Sequence, residues 1–274
     1  MFNPLLLEIY GNRQTRDWPK GRGSNSLKDR FFDDAKLKRA IRICFEFREG
    51  NKLCYPTAMR RSLELVTGEN VTNFKAQNAK SIVERLCPVI WGNVYDYSCG
   101  YGGRLLGITS SNMRYKYIGT DPNTETYQYL NYLNSIIGGN AEIHCQTSQD
   151  FQPEDIDLAF SSPPYFNLEK YSDEPTQCMV QFNTLDEWFD GYTVPTMENI
   201  YRGLNNDGIF ATNIADYKTT KDEFKVVDRW IQTAEKVGFK HTETIKMMLN
   251  TRPGVGNDKL AGREKWEGVY VFTK

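Results

Sequence analysis

Histidine is scarce: His144 and His241 are the only two in 274 residues. That is too few imidazoles for a histidine-built metal centre or a nucleophile triad, and both are read as ordinary strand residues. The six cysteines, at positions 44, 54, 87, 99, 145 and 178, form no Cys-x-x-Cys pair. Their spacing suits neither a zinc site nor a disulfide framework, so reduced thiols in a cytoplasmic protein are expected. Long apolar runs are also missing. Leu5-Leu6-Leu7 has neither the basic lead nor the apolar length of a signal peptide, and no stretch is long enough to span a bilayer. The expectation is a chain with no metal and no membrane partner. No internal repeat or low-complexity tract occurs.

Excess charge of one sign is absent overall, the formal net charge being −1, but its distribution is uneven. Residues 1–70 hold 14 Lys/Arg against 9 Asp/Glu, and residues 71–274 hold 20 against 26. A basic arm ahead of a mildly acidic body suits contact with a polyanion; a solvated helical face is the other reading. The chain divides accordingly into a basic N-terminal extension, 1–70, and a larger domain, 71–274. Gly11–Ser26 reads as loop, and Lys36–Glu49 is compatible with helix or strand.

From Phe74 onward, elements alternate. Asn78–Cys87 carries Ile82, Val83 and Leu86 at helical spacing. Strands are expected at 93–98, 115–121, 141–146, 155–162 and 207–216. Helices are expected at 103–111, 124–137 (closed by Gly138-Gly139), 185–204 and 222–238. Alternation of this kind means crossover connections and a mainly parallel sheet covered on both faces. Two final strands, 239–249 and 267–274, follow one another without a helix, so they should pair as a hairpin and make one edge antiparallel.

In an open parallel sheet, ligands collect beyond the carboxyl ends of the strands. The first strand closes in Asp96-Tyr97-Ser98-Cys99-Gly100-Tyr101-Gly102-Gly103. That spacing is not Gly-x-Gly-x-x-Gly, and a glycine turn into a helix accounts for it equally well. The second ends in Gly119-Thr120-Asp121-Pro122, an acid roughly 20 residues past the glycines, placed to take both ribose hydroxyls or to cap the next helix. The third ends in Ser148-Gln149-Asp150-Phe151, an acid and a ring suited to an adenine's edge and face. No phosphate-binding lysine motif accompanies them. A nucleoside cofactor without phosphates is indicated, which favours S-adenosylmethionine over a nucleotide.

The fourth strand ends in Ser162-Pro163-Pro164-Tyr165. Proline has no N–H to give a sheet and holds its predecessor extended, so these four residues form a stiff ledge with free main-chain carbonyls and a free hydroxyl. With the glycine turn after the first strand, this tetrapeptide closely resembles the motif of the S-adenosylmethionine-dependent amino-methyltransferases of DNA, and the small members found in phage and mobile elements in particular. The resemblance covers Phe74 to Lys274 and rests mainly on the tetrapeptide. It implies a Rossmann-like seven-stranded α/β sheet, mostly parallel with an antiparallel C-terminal hairpin strand. The family's motif is Asp/Asn/Ser-Pro-Pro-Tyr/Phe/Trp, so Ser162, Pro163, Pro164 and Tyr165 are the implied catalytic set. The family's Asp-Pro-Phe-x-Gly-x-Gly is met by Asp96, Gly100 and Gly102, with Tyr97 and Ser98 in place of Pro-Phe. Phe74, Asp96, Ser98, Gly100, Gly102, Asp121, Asp150 and Phe151 are the implied cofactor-binding residues.

The activity implied is methylation of an exocyclic amine, cytosine N4 ahead of adenine N6. The Ser162 hydroxyl and the Pro163 carbonyl would take the amine hydrogens, and Tyr165 would stack on a base flipped out of DNA, single- or double-stranded. The polar stretch 166–181 reads as a loop that closes over the base. Arg252, Lys259 and Arg263, in the connection between the last two strands, are candidate phosphate contacts, although a plain hairpin loop accounts for that segment too. Carbon-5 methylation is set aside because no cysteine follows a proline. RNA and protein-glutamine methyltransferases use similar loops and remain alternatives, as does a catalytically inactive scaffold.

Overall fold

The computed structural model describes residues 27–46, 56–67, 73–168, 171–219, 222–248 and 266–274. Seven strands form one sheet: β1 (Trp91–Asp96), β2 (Arg114–Thr120), β3 (Ala141–His144), β4 (Ile156–Ser161), β5 (Leu204–Ile214), β6 (Lys240–Met248) and β7 (Trp266–Thr273). Their spatial order is β3-β2-β1-β4-β5-β7-β6. The five strands from β3 to β5 run parallel, and β7 is antiparallel to both of its neighbours. The chain therefore has the mostly parallel Rossmann-like sheet expected. The hairpin of β6 and β7 forms at one edge, as expected, with β7 between β5 and the outermost strand β6. The burial of β7 explains this: Val269, Val271 and Phe272 are almost wholly enclosed, whereas β6 alternates exposed and half-buried positions, the pattern of an edge with one covered face.

Helices cover both faces. On one lie α4 (Ala76–Leu86), α5 (Gly103–Thr109) and α6 (Thr124–Ile137), contributing Val83, Leu105, Leu106, Leu130 and Leu133 to a core with Val94, Phe160 and Val271. On the other lie the short α7 (Cys178–Gln181) and α8 (Leu185–Trp188), a π-turn at Phe189–Thr193, α9 (Val194–Gly203) and α10 (Val227–Val237). There Trp188, Tyr192 and Trp230 pack with Tyr95, Phe210 and Phe272. Successive strand residues point to opposite faces, which is why Tyr95 and Tyr97 serve one core while Val94 and Asp96 face the other.

Three further helices, α1 (Leu27–Phe32), α2 (Asp34–Glu46) and α3 (Pro56–Thr67), belong to the basic extension. A small core of Ala40, Leu63 and Val66 joins α2 and α3. The buried Arg30 donates from Nη1 to the Leu63 carbonyl at 3.4 Å. Lys36–Glu49, open between helix and strand in the sequence, is helical as far as Glu46.

At Gly103, a Cβ would lie 1.9 Å from the Phe74 carbonyl oxygen. The segment before α4 thus crosses directly over the first residue of α5. Gly103→Ala should lower unfolding stability by about 1–3 kcal/mol, as overpacking of a rigid contact does, measurable as a shift in urea midpoint. An unchanged midpoint would mean the crossing relaxes freely.

Candidate active site

The carboxyl ends of β1, β2, β4 and β5 open onto one cleft of about 930 Å³. The glycine turn leaving β1 supplies its floor. Gly100 adopts φ +55, a conformation L side chains rarely take, and its N–H donates to Asp121 Oδ2 at 3.0 Å. Asn73 clamps the same turn, accepting from the Gly103 N–H at 3.1 Å and donating to the Tyr101 carbonyl at 3.0 Å. This clamp brings Phe74 onto the cleft with Ser98, Gly100 and Asp121.

Asp121 is buried, and its second oxygen accepts from the Asn123 N–H at 3.0 Å. Burial pushes its carboxyl up to about 6, against the pull of the two N–H donors. It does not cap α6; Asn123 does, its side-chain oxygen accepting from the Thr126 N–H at 3.0 Å. The capping role open to Asp121 in the sequence thus falls on Asn123.

Ser162, Pro163, Pro164 and Tyr165 line the same cleft. Tyr165 is tethered: its hydroxyl accepts from the Ala215 N–H at 3.1 Å, and its ring meets Tyr217 edge to face at 4.9 Å between centroids. Ser162 is held from beneath by Arg104, whose Nη1 donates to its Oγ at 2.7 Å. Arg104 is 4% exposed. Its Nε donates to Asp96 Oδ2 at 2.9 Å, and its Nη2 donates to the Ser98 carbonyl.

Asp96, expected among the cofactor-binding residues, has no exposure. Both its oxygens are taken within the protein, by Arg104, by the Ser161 hydroxyl at 2.7 Å and by the Tyr117 hydroxyl at 2.8 Å. It is a hub under the strand ends and does not line the cleft. Gly102 is also off the lining; the space where a Cβ would project is filled by Leu133 and Leu130. Asp150 is exposed and accepts from the Thr147 hydroxyl. Phe151 packs against His144 at 4.5 Å and Tyr95 at 5.6 Å. At the end of β3 it is Thr147, Ser148 and Gln149 that face the cleft.

The stretch 166–181, expected as a loop closing over the base, is engaged on the β2–β3 side in its described part. The Tyr171 carbonyl accepts from Asn123 at 3.4 Å, and Glu174 accepts from the Thr124 N–H at 3.2 Å. This brings Gln177 to the cleft. Gln149 Oε1 and Gln177 Nε2 are both buried without a hydrogen-bond partner. An unpaired buried polar atom is costly, so an orphaned acceptor and an orphaned donor in one cleft, beside a buried carboxylate, fit a polar ligand such as an adenosine. Neither glutamine stands out in the sequence, and neither do Asn73 and Arg104.

Arg252, Lys259 and Arg263 lie outside the described residues. From the extension, Arg61, Glu64 and Leu65 of α3 reach the cleft. Among the described residues no helix is long and apolar enough to cross a membrane.

No protein-family model matches the chain, and no curated protein matches it. Solved structures do match. The [4+2]-cyclase SpnF aligns with a TM-score of 0.50 at 12% identity, over 73% of this chain and 81% of that one. A TehB-like SAM-dependent methyltransferase from Corynebacterium glutamicum aligns at 0.46 and 18%, over 80% and 96%. A methyltransferase from Pyrococcus furiosus aligns at 0.47 and 14%, over 76% and 90%. At such identities the likeness is one of fold, and in fold the chain is a Rossmann-like seven-stranded α/β protein.

Proposed function

We propose that this chain is an S-adenosylmethionine-dependent methyltransferase acting on the exocyclic amine of a flipped DNA base, cytosine N4 ahead of adenine N6. One observation carries the reading: the Ser162–Tyr165 ledge shares a single cleft with the glycine turn and the buried carboxylate of Asp121. When bound, S-adenosylmethionine supplies a methyl group activated by its sulfonium. Asp121 would accept from the ribose hydroxyls, while Gln149 Oε1 and Gln177 Nε2 would offer an acceptor and a donor to the adenine edge. Phe74 and Ser98 face the same space.

The amine of a nucleobase is a weak nucleophile because its lone pair is delocalised into the ring. Rigid acceptors at its hydrogens favour a tetrahedral nitrogen and interact more strongly as positive charge develops there, which stabilises the transition state over the ground state. The main-chain carbonyl of Pro163 on the ledge supplies such an acceptor, and the two prolines remove the flexibility that would blunt it. Tyr165, tethered through its hydroxyl, holds the ring of the base in line. A duplex base reaches the cleft only by flipping, at a cost of a few kcal/mol, and stacking on an aromatic side chain at about 1–3 kcal/mol per base offsets much of it. The basic helices of the extension, with Arg61 at the rim of the cleft, suit the backbone of such a substrate.

Transfer of labelled methyl groups to unmethylated DNA, RNA and protein in parallel tests the reading, with nucleoside analysis for N4-methylcytosine and N6-methyladenine. Ser162→Ala should lower kcat/KM by about 10–100-fold, the cost of leaving a buried hydrogen-bonding partner unsatisfied, with the Kd for S-adenosylmethionine moved less than about threefold. Label in RNA, in glutamine side chains or in no polymer would reject a DNA substrate. Undiminished turnover in Ser162→Ala would remove the ledge from the site.

A further inference from the structure

We propose that Arg104 fixes the hydrogen-bond polarity of Ser162, so that the serine hydroxyl donates to a ring nitrogen beside the target amine and makes that nitrogen part of the specificity. The inference rests on the reading of the cleft as a base-methylation site.

A guanidinium has five donors and no acceptor. At 2.7 Å from Arg104 Nη1, the Ser162 oxygen can only be the acceptor of that bond. One of its two lone pairs is thereby occupied, and its single hydrogen must point elsewhere. The Ser98 carbonyl, which shares the Arg104 guanidinium with Ser162, accepts from Nη2. No protein acceptor for the Ser162 O–H occurs among the described residues, and Ser162 lines the cleft. The hydrogen is therefore offered to whatever the cleft holds.

Arg104 has no freedom to relax this arrangement. Nε is fixed on Asp96 at 2.9 Å, and the guanidinium carbon lies 5.4 Å from the centre of the Phe74 ring. Asp96 in turn is fixed by Ser161 and Tyr117. The carboxylate also balances the arginine charge, so no net cation stands beside a nitrogen that becomes positive during methyl transfer. A charge-assisted donor on Ser162 strengthens the serine as a donor in its turn.

Cytosine carries an unprotonated ring nitrogen, N3, next to its amine, and adenine carries N1 in the same relation. A donating hydroxyl accepts both and rejects a ring whose corresponding nitrogen bears hydrogen, as in thymine and uracil. The amine hydrogens are then left to the main-chain carbonyl of the ledge at Pro163. Arg104 is a positioning residue, and Ser162 is the group that touches the base.

The test compares kcat/KM on paired oligonucleotides that differ in one atom: cytosine against 3-deazacytosine, or adenine against 1-deazaadenine, whichever base the wild-type chain methylates. In the wild type, loss of the ring nitrogen should cost about 10–100-fold, because a site built to hydrogen-bond a group penalises its absence. In Ser162→Ala the same change should cost less than about threefold. Arg104→Lys retains charge but cannot bridge Asp96, Ser98 and Ser162 together, and it should bring the penalty down to about the Ser162→Ala value. Arg104→Gln, which keeps one donor and drops the charge, is the second variant if the lysine form fails to fold by circular dichroism. Equal penalties in wild type, Ser162→Ala and a folded Arg104 variant would overturn the inference while leaving base methylation intact. Discrimination lost in Ser162→Ala but kept in the arginine variant would overturn the role of Arg104. A wild-type chain that methylates neither base would overturn both the inference and the reading beneath it.

Discussion

Asp96→Ala is expected to lower unfolding stability by about 3–5 kcal/mol, the usual cost of removing one partner of a buried ion pair. The effect is large because of what stays behind. Arg104 would keep its charge at 4% exposure with no carboxylate beside it. The hydroxyls of Tyr117 and Ser161 would each lose their acceptor. Asp96→Asn should recover little, since an amide leaves the arginine charge unbalanced and cannot accept from all these donors at once. Chemical denaturation of the wild type and both variants measures it. A loss below about 1 kcal/mol would mean that another acceptor takes over the network, and the assignment of Asp96 as a hub would be abandoned.

Asp121→Ala should act on ligand affinity instead. On the proposed reading, its carboxylate takes two ribose hydroxyls inside a buried cleft. Hydrogen bonds to a charged group are worth about 1.5–3 kcal/mol each, so the Kd for S-adenosylmethionine should rise by about 100-fold or more in a calorimetric titration. A pH dependence comes with it. Burial raises the folded-state carboxyl to about 6 from its ordinary 3.8. Between those values the folded chain without ligand holds a proton that the unfolded chain has lost. Burying this group therefore costs nothing below about pH 4, and the cost grows as pH rises through that window. The ligand needs the carboxylate, so wild-type affinity should fall as pH drops below about 6, whereas Asp121→Ala should bind weakly with a flatter profile. A wild-type Kd constant from pH 5 to 8 would detach Asp121 from the ligand.

These two aspartates also show where sequence reasoning succeeds and where it stops. Asp121 follows a strand at the expected distance from a glycine turn, and position along the chain alone brings it to the cleft. The helix that follows was legible over its whole length, 124–137, because its ends are local: an Asn cap and a glycine at φ +60. Asp96 matched a motif equally well, yet its partners come from α5, β2 and β4, and no short stretch of sequence shows that they converge on it. Arg104 stands in the first turn of α5 with nothing in the sequence to mark it until Asp96 and Ser162 are seen bonded to it. Gln149 and Gln177 are ordinary loop residues in sequence, 28 positions apart, and only the fold brings both to one cleft.

Boundaries failed for similar reasons. The helix expected to begin at Asp222 begins at Val227, because Glu223–Phe224 pairs with Tyr217–Lys218 as a short hairpin and Asp216 takes the N–H groups of Val226 and Val227. The extension was legible as basic. That α3 brings Arg61 to the cleft required the fold.

The position of β7 bears on how the protein is made. It is the last of the seven strands to be synthesised, yet it pairs along both of its sides, with Ile209–Ile214 and with Lys240–Met248. Until it has left the ribosome, β5 and β6 have no common neighbour and each exposes an unpaired border able to recruit a foreign strand. At about 5–20 residues per second, the stretch from Ile214 to Trp266 takes seconds to be made, and the sheet stays open over that interval, so the yield in a cell should depend on chaperone supply more than the completed sheet suggests.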